Sequence, residues 1–222
     1  MMFEVQDLKV ASPATVSRCG MVYMEQVHVG IISLVRTWGS NTLSEFLPAQ
    51  AASVVSLIEA HLNDTIFFMN EVCTEKVETS GMNVTQSLLN LLEGLVNPLN
   101  GLKPDHQSID KLLKYCFVWS LVWSIGGNVD DASRPKFQKF IKDRFSEELG
   151  SGASAFLSDV YGYVVNPDSG EFVSWSSLME EFHYNHNQPY FNILVPTMDT
   201  TRYAYVLRKL MKNGFNVLFM GE

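Results

Sequence analysis

At 222 residues, with 46% hydrophobic and 18% charged residues, the chain has room for a sizeable core and is excluded from the disordered class. Its formal net charge of −8 argues against nucleic acid or an anionic membrane as partner, because phosphate binding takes a surplus of Lys and Arg. Cys19, Cys73 and Cys116 are odd in number, far apart and without a CxxC pair, which argues against a disulfide framework or zinc knuckle and fits a reducing compartment. Glu4 and Asp7 interrupt the first apolar stretch, so no secretory signal is expected. The longest apolar run, Tyr115 to Ile125, is shorter than the roughly 20 residues that span a bilayer. A soluble, intracellular chain is the expectation.

The chain opens on a short apolar segment, Met2 to Val5, followed by a Ser-Pro-Ala-Thr loop and a second short strand, Gly20 to Met24. From about residue 30 to 147 the signals are helical. Val55, Ile58, Leu62, Ile66, Met69 and Cys73 recur at spacings of three and four, one apolar face of a long helix. Val84, Leu88, Leu91, Leu92 and Leu95 do the same over a shorter helix, stopped by Asn97-Pro98 and Gly101. The helix starting near Ile109 becomes apolar on nearly every side through Trp119, Leu121, Val122, Trp123 and Ile125, which predicts the buried centre of a bundle. Gly126-Gly127 is expected to end it as a C-cap pair.

Asp131 or Ser133 is expected to cap the next helix, with Pro135 in its first turn. Phe137, Phe140, Ile141 and Phe145 form its inner face, with Lys136, Lys139, Lys142 and Arg144 toward water. Gly150 to Ser154 is the best linker candidate. Tyr161 to Val165 and Glu171 to Trp175 then flank a turn and predict a hairpin. An aromatic, irregular segment follows (Phe182 to Phe191), then the apolar tract from Ile193 to Thr197. A helix over about 200–212, with Tyr203, Val206, Leu207 and Leu210 on one side, is stopped by Gly214, and the chain closes on an apolar strand running into Gly221.

Three stretches, in this order, resemble the dynein heavy chain family. The first is Phe3 to Leu8 with Ala11-Ser12-Pro13-Ala14-Thr15-Val16-Ser17-Arg18-Cys19-Gly20-Met21-Val22-Tyr23, similar to the end of the large α/β subdomain of the second AAA+ module. The second is Trp119-Ser120-Leu121-Val122-Trp123-Ser124-Ile125-Gly126-Gly127 with Arg134 and Phe137, similar to that module's helical lid. The third is Ile193 to Thr197, Asp199-Thr200, Arg202-Tyr203 and the strand ending at Gly221, similar to the opening of the third module.

The resemblance implies a fold that is mainly α with α/β ends, made of partial AAA+ modules. Residues 1–28 would end one large subdomain, 29–149 would form the helical lid, and 150–222 would supply a linker, a hairpin and the start of the next module. It implies an axonemal parent, in the cytoplasm and the cytoskeleton of a cilium or flagellum, that hydrolyses ATP with Mg2+ and moves along microtubules. Its implied partners are the neighbouring AAA+ modules, intermediate and light chains, and microtubules, none of them through nucleic acid or membrane. With both ends falling inside sheets, the chain is expected to be a piece of that motor. Without a Walker lysine or acidic pair, it is not expected to hold nucleotide firmly or to hydrolyse it alone.

The resemblance also assigns residues. Arg18 stands where an AAA+ module extends an arginine to the nucleotide of its neighbour; a planar, always-charged guanidinium meets two oxygens of the transferring phosphoryl group at once. Ile193, Leu194, Val195, Pro196 and Thr197 resemble the apolar strip that takes the adenine ring, though a merely packed strand has the same composition. Gly221 would open a phosphate-binding loop. Arg134 is either the lid arginine that meets the γ-phosphate or an ordinary first-turn residue. His183 and His186 have an HxxH spacing, but no acidic or Cys ligand accompanies them at helical spacing and no metal site is expected. A second reading takes residues 30 to 147 as a free-standing helical interaction module.

Overall fold

The computed structural model describes residues 7–20, 22, 29–100, 102, 105–184, 186, 189–193 and 195–218, with the backbone only at position 192. The chain divides into two compact units, Met1–Gly30 and Ile31–Glu222. In the first, the expected Ser-Pro-Ala-Thr loop is instead a single helical turn, α1 (Pro13–Val16). Ser12 caps it, its Oγ accepting from the Thr15 amide at 3.2 Å, and Pro13 occupies the position where a missing N–H costs nothing. The two expected strands lie outside the described residues, apart from Gly20 and Val22.

The second unit is a helical bundle with one small hairpin. Helix α2 (Ile31–Trp38) runs through a wide turn (Gly39–Leu43) into Ser44–Phe46, and Leu43 and Leu47 point into the core. Helix α3 (Ala51–Val72) buries Ile58, Leu62, Ile66 and Met69 of the stripe its periodicity predicts, with Val54 buried in place of the expected Val55, which is half-buried, as is Cys73 just past the helix end. Helix α4 (Gly81–Val96) is capped by Ser80, whose Oγ accepts from the Asn83 amide at 3.2 Å. Helix α5 (Ile109–Ser124) buries every residue from Tyr115 to Val122, so it is the central helix that its all-round apolarity predicts. At about 25 cal/mol per Å² of apolar surface, side chains such as Trp119 and Phe117 dominate this core's hydrophobic stabilisation.

Gly126-Gly127 does not cap α5 in the left-handed manner: both glycines have ordinary negative φ, and Gly126–Asn128 forms a tight 3-10 turn. Gly126 is required for space instead. A Cβ there would lie 2.3 Å from the Phe137 ring and 2.9 Å from the Tyr161 hydroxyl. Helix α6 (Arg134–Leu149) turns Phe137, Ile141 and Phe145 inward as expected, while Phe140 is half-buried and stacks on Phe68 at 4.2 Å. Arg144 departs from expectation: it reaches across α3, its Nη2 meeting Asp64 Oδ2 at 2.7 Å and the Ala60 carbonyl at 3.1 Å.

Gly150 takes φ +67, and the stretch behind it coils inward rather than extending: Ser151–Ala153 is a 3-10 turn with Ala153 fully buried, leading into α7 (Ser154–Ser158). Strands β1 (Tyr163–Asn166) and β2 (Glu171–Ser174) pair antiparallel, Val164 opposite Val173. Gly170 closes the hairpin at φ +66, a conformation that a Cβ disfavours. Helix α8 (Met198–Lys212) ends in a Schellman motif: the Gly214 amide, at φ +78, donates to Met211 and the Phe215 amide to Leu210.

Helix α8 presents Tyr205, Val206 and Leu210 to the core, a register that leaves the expected Tyr203 half exposed. The shift has a physical cause. Arg202 and Lys209 share that face and carry their charged ends to the Tyr161 and Asn100 carbonyls, a reach that long, flexible side chains allow. No described helix is long and apolar enough to cross a membrane.

Candidate functional site

The N-terminus of α6 is held by a clasp from the loop that follows α3. Glu75 and Val129 form a β-bridge, Lys76 donates to the Asn128 carbonyl at 2.8 Å and Asp130 donates to the Thr74 carbonyl at 2.9 Å. The Asn128 side chain mimics one more strand residue: its Oδ1 accepts from Val77 N–H at 3.1 Å and its Nδ2 donates to the Val77 carbonyl at 2.6 Å. Ser133 stands at the N-cap, but its hydroxyl accepts from the Thr74 amide at 3.0 Å instead of capping α6. Hydrogen bonding from Ser133 holds the Asp130 carboxyl below the usual carboxylate range. Asp131, the other expected cap, is an ion-pair partner.

That partner is Arg134. Its Nη1 lies 3.0 Å from Asp131 Oδ1, its guanidinium sits over the Tyr161 ring at 5.5 Å from the centroid, and its buried Nε has no partner among the described residues. Asp131, Arg134, Pro135, Gln138, Lys139 and Lys142 line an open groove of about 540 Å³. Three cations against one carboxylate make this groove suited to an anion.

Tyr161 is the residue that the sequence did not single out. Its hydroxyl donates to the Gly126 carbonyl at 2.8 Å, its ring meets Trp123 edge-on at 6.1 Å, and its carbonyl accepts from Arg202 Nη1 at 3.3 Å. Burial pushes its phenol up, with Arg134 opposing. The signal for Arg202 was readable, since Asp199 precedes it by one helical turn and pairs with it at 2.5 Å. None was readable for Tyr161, whose partners come from three elements.

The other expected site residues are spread along the chain. Arg18 follows α1 in the first unit, is exposed, and has no carboxylate partner among the described residues. Ile193 and Pro196 are half-buried and Val195 is 51% exposed, in irregular backbone rather than a strand. Thr197 is occupied structurally: it and Thr200 form a reciprocal capping box at the start of α8. Leu194 and Gly221 lie outside the described residues. His183 and His186 are exposed; His186 packs edge-on against Tyr184, and His183 lies 4.0 Å from Glu181. Among the described residues no cluster of three His, Cys, Asp or Glu comes together.

Residues 54–177 match the family model of the dynein heavy chain AAA lid domain, over half of the chain. The chain belongs to the dynein heavy chain family. Residues 182–222 match a second model, the P-loop containing dynein motor region, so the lid match takes in the hairpin and the motor-region match takes in α8. The dynein relatives are similar along the whole chain. Dynein axonemal heavy chain 6 of Homo sapiens is 31% identical over 223 residues and dynein axonemal heavy chain 1 of Mus musculus 35% over 247. Dynein-1-alpha heavy chain of the flagellar inner arm I1 complex of Chlamydomonas reinhardtii is 28% identical over 235. The chain spans about 5–6% of the length of these relatives.

The dynein lid and the start of the motor region meet across an aromatic seam. Tyr205 of α8 stands edge-on to Trp119 at 5.9 Å and to Trp175 at 5.3 Å, and Tyr203 to Trp123 at 6.3 Å. Such pairs contribute about 0.5–1.5 kcal/mol each beyond their buried area. Lys209 and Lys212 fasten the far end on the Asn100 and Leu99 carbonyls at 3.3 and 2.9 Å.

Proposed function

We propose that this chain is the part of an axonemal dynein heavy chain that runs from the end of the second AAA+ module, through its lid, into the start of the third. The parent couples ATP hydrolysis to movement along microtubules in cilia or flagella. The observation that carries this reading is the uninterrupted order of a dynein lid match and a dynein motor-region match in one chain. The same order weighs against a free-standing interaction module, because the match continues past the helical bundle into residues 182–222. In the domain division we propose, residues 1–28 close one large subdomain, 29–149 form the lid bundle and 150–222 lead into the next module, although the lid match extends past that boundary to residue 177 and so takes in the hairpin.

Three parts act on nucleotide in the intact motor. Arg18, exposed beyond a capped helical turn, supplies positive charge to the phosphoryl group held by the preceding module. Arg134, paired on one side with Asp131 and open on the groove side, meets phosphate charge at the lid. Ile193, Leu194, Val195, Pro196 and Thr197 offer apolar surface to the adenine ring, and the backbone at Gly221 begins the phosphate cradle. The exposure of Val195 and the cationic lining of the groove fit such a ligand. ATP with Mg2+ supplies the transferable phosphoryl group; these residues orient it and balance its charge. Neighbouring AAA+ modules, intermediate and light chains and microtubules are the parent's partners.

The reading is tested with the whole heavy chain carrying Val195→Asp. ATP affinity at the third module is expected to fall at least tenfold, since a carboxylate in the adenine strip is both polar and repelled by phosphate (about 1.4 kcal/mol per tenfold). Unchanged affinity rules the strip out.

A further inference from the structure

Two arginines contact Tyr161, one at its ring and one at its carbonyl. Arg134, on the lid helix α6, lies over its ring, and Arg202, on α8, donates to its carbonyl. The two guanidinium groups share further traits: each is paired with the aspartate three residues before it, and each leaves a buried Nε without a partner among the described residues. The ring is fixed by the hydroxyl bond to Gly126 and by Trp123, in a site so close that Gly126 admits no side chain.

We propose that Tyr161 is a positioning residue that couples the orientation of Arg134 to the docking of α8. Moving the Arg134 cation off the ring shifts Tyr161 between Gly126 and Trp123, and its carbonyl moves with it because ring and carbonyl belong to one short turn. The other hydrogen bonds of that turn leave the Tyr161 carbonyl to Arg202: the Tyr161 amide donates to Asp159 Oδ1 at 3.2 Å, Gly162 donates to the Asp159 carbonyl at 3.1 Å, and the Gly162 carbonyl accepts from the Trp175 amide at 3.1 Å. An anion drawing Arg134 into its groove is thereby felt at the first helix of the motor-region segment. The coupling is a free energy between two sites and acts equally in reverse. Its use in the motor rests on the nucleotide-facing reading of Arg134; its existence does not.

The experiment is amide hydrogen exchange of α8 in the 222-residue chain without nucleotide. Arg134→Ala, which removes no hydrogen bond or ion pair to α8, is expected to speed exchange of the α8 amides about two- to fivefold, the worth of an exposed cation–π contact. Arg134→Lys, keeping a cation over the ring, restores most of the protection. In a Tyr161→Leu background, Arg134→Ala has no further effect; should Tyr161→Leu fail to fold, Tyr161→Phe keeps the ring and is expected to keep the coupling.

A Tyr161 that merely packs would speed α8 exchange when truncated yet leave α8 indifferent to Arg134→Ala, and that result overturns the proposal. Failure of the nucleotide reading looks different: coupling persists in the short chain, but Arg134→Ala leaves ATP affinity and turnover of the whole motor unchanged.

Discussion

Arg144 Nε donates to His61 Nδ1 at 3.0 Å, which makes that nitrogen an acceptor and places the imidazole proton on Nε2, 3.0 Å from Glu148. Asp64 on α3, Lys114 on α5 and Arg144 and Glu148 on α6 are the charges around the ring, which packs on Phe145 at 4.6 Å. The network joins three helices through one neutral histidine.

Burial is the main cause that lowers the His61 pKa, with Arg144 adding to it and Glu148 opposing. The unfolded chain therefore takes up the proton first as pH falls. Stability is predicted to be complete above about pH 6.5 and to decline below it toward the folded-state pKa. Denaturant midpoints measured from pH 5 to 8 check this. The slope is expected to flatten in His61→Gln.

The three thiols are predicted to react in a fixed order. Cys19 is exposed, Cys73 is half-buried with its pKa raised by burial, and Cys116 is buried with its pKa pushed up to about 12. Since the thiolate is the reactive form, labelling at pH 8 followed by mass spectrometry is expected to modify Cys19 first, Cys73 slowly and Cys116 only on unfolding.

Trp119 is fully buried and its Nε1 donates to the Tyr163 carbonyl at 3.0 Å, tying α5 to the hairpin. Trp119→Ala is expected to cost about 3–5 kcal/mol, a large share of the stability of a domain this size. Chemical denaturation measures it, and Trp119→Phe is expected to recover part of the loss.

Thr197 joins an expected binding role to an observed structural one. Thr197→Ala removes the capping box and is predicted to cost about 1 kcal/mol, read as faster exchange in the first turn of α8, whereas Thr197→Ser keeps it.

Much of the bundle is legible because burial follows the helical period in α4 and along most of α3, and because α5 is apolar all round. Contacts between distant segments are not. Ser133 reads as a cap until the Thr74 amide claims its hydroxyl, and Gly126 reads as a helix stop until Phe137 and Tyr161 close on it. Arg144 has the spacing of a solvent-facing residue, yet its reach spans to the neighbouring helix. In α8 the apolar residues gave the core-facing Val206 and Leu210 correctly but included Tyr203 and missed Tyr205, because Arg202 and Lys209 share that face. At the candidate site, Arg134 is visible through the family pattern, whereas Asp131 reads as a helix cap and becomes the partner of Arg134 only in the structure. Tyr161 joins them only through the packing of α5, α6 and α8 around it.

Whether this segment serves ATP chemistry in the intact motor turns on Arg18. In the whole heavy chain, Arg18→Ala is predicted to slow hydrolysis by about 10³–10⁵ at the preceding module's site, or about 4–7 kcal/mol of barrier, with ATP affinity there kept within a few-fold. Arg18→Lys should recover little of the rate, because a point charge does not replace a planar fork. Turnover unchanged in Arg18→Ala would contradict the claim.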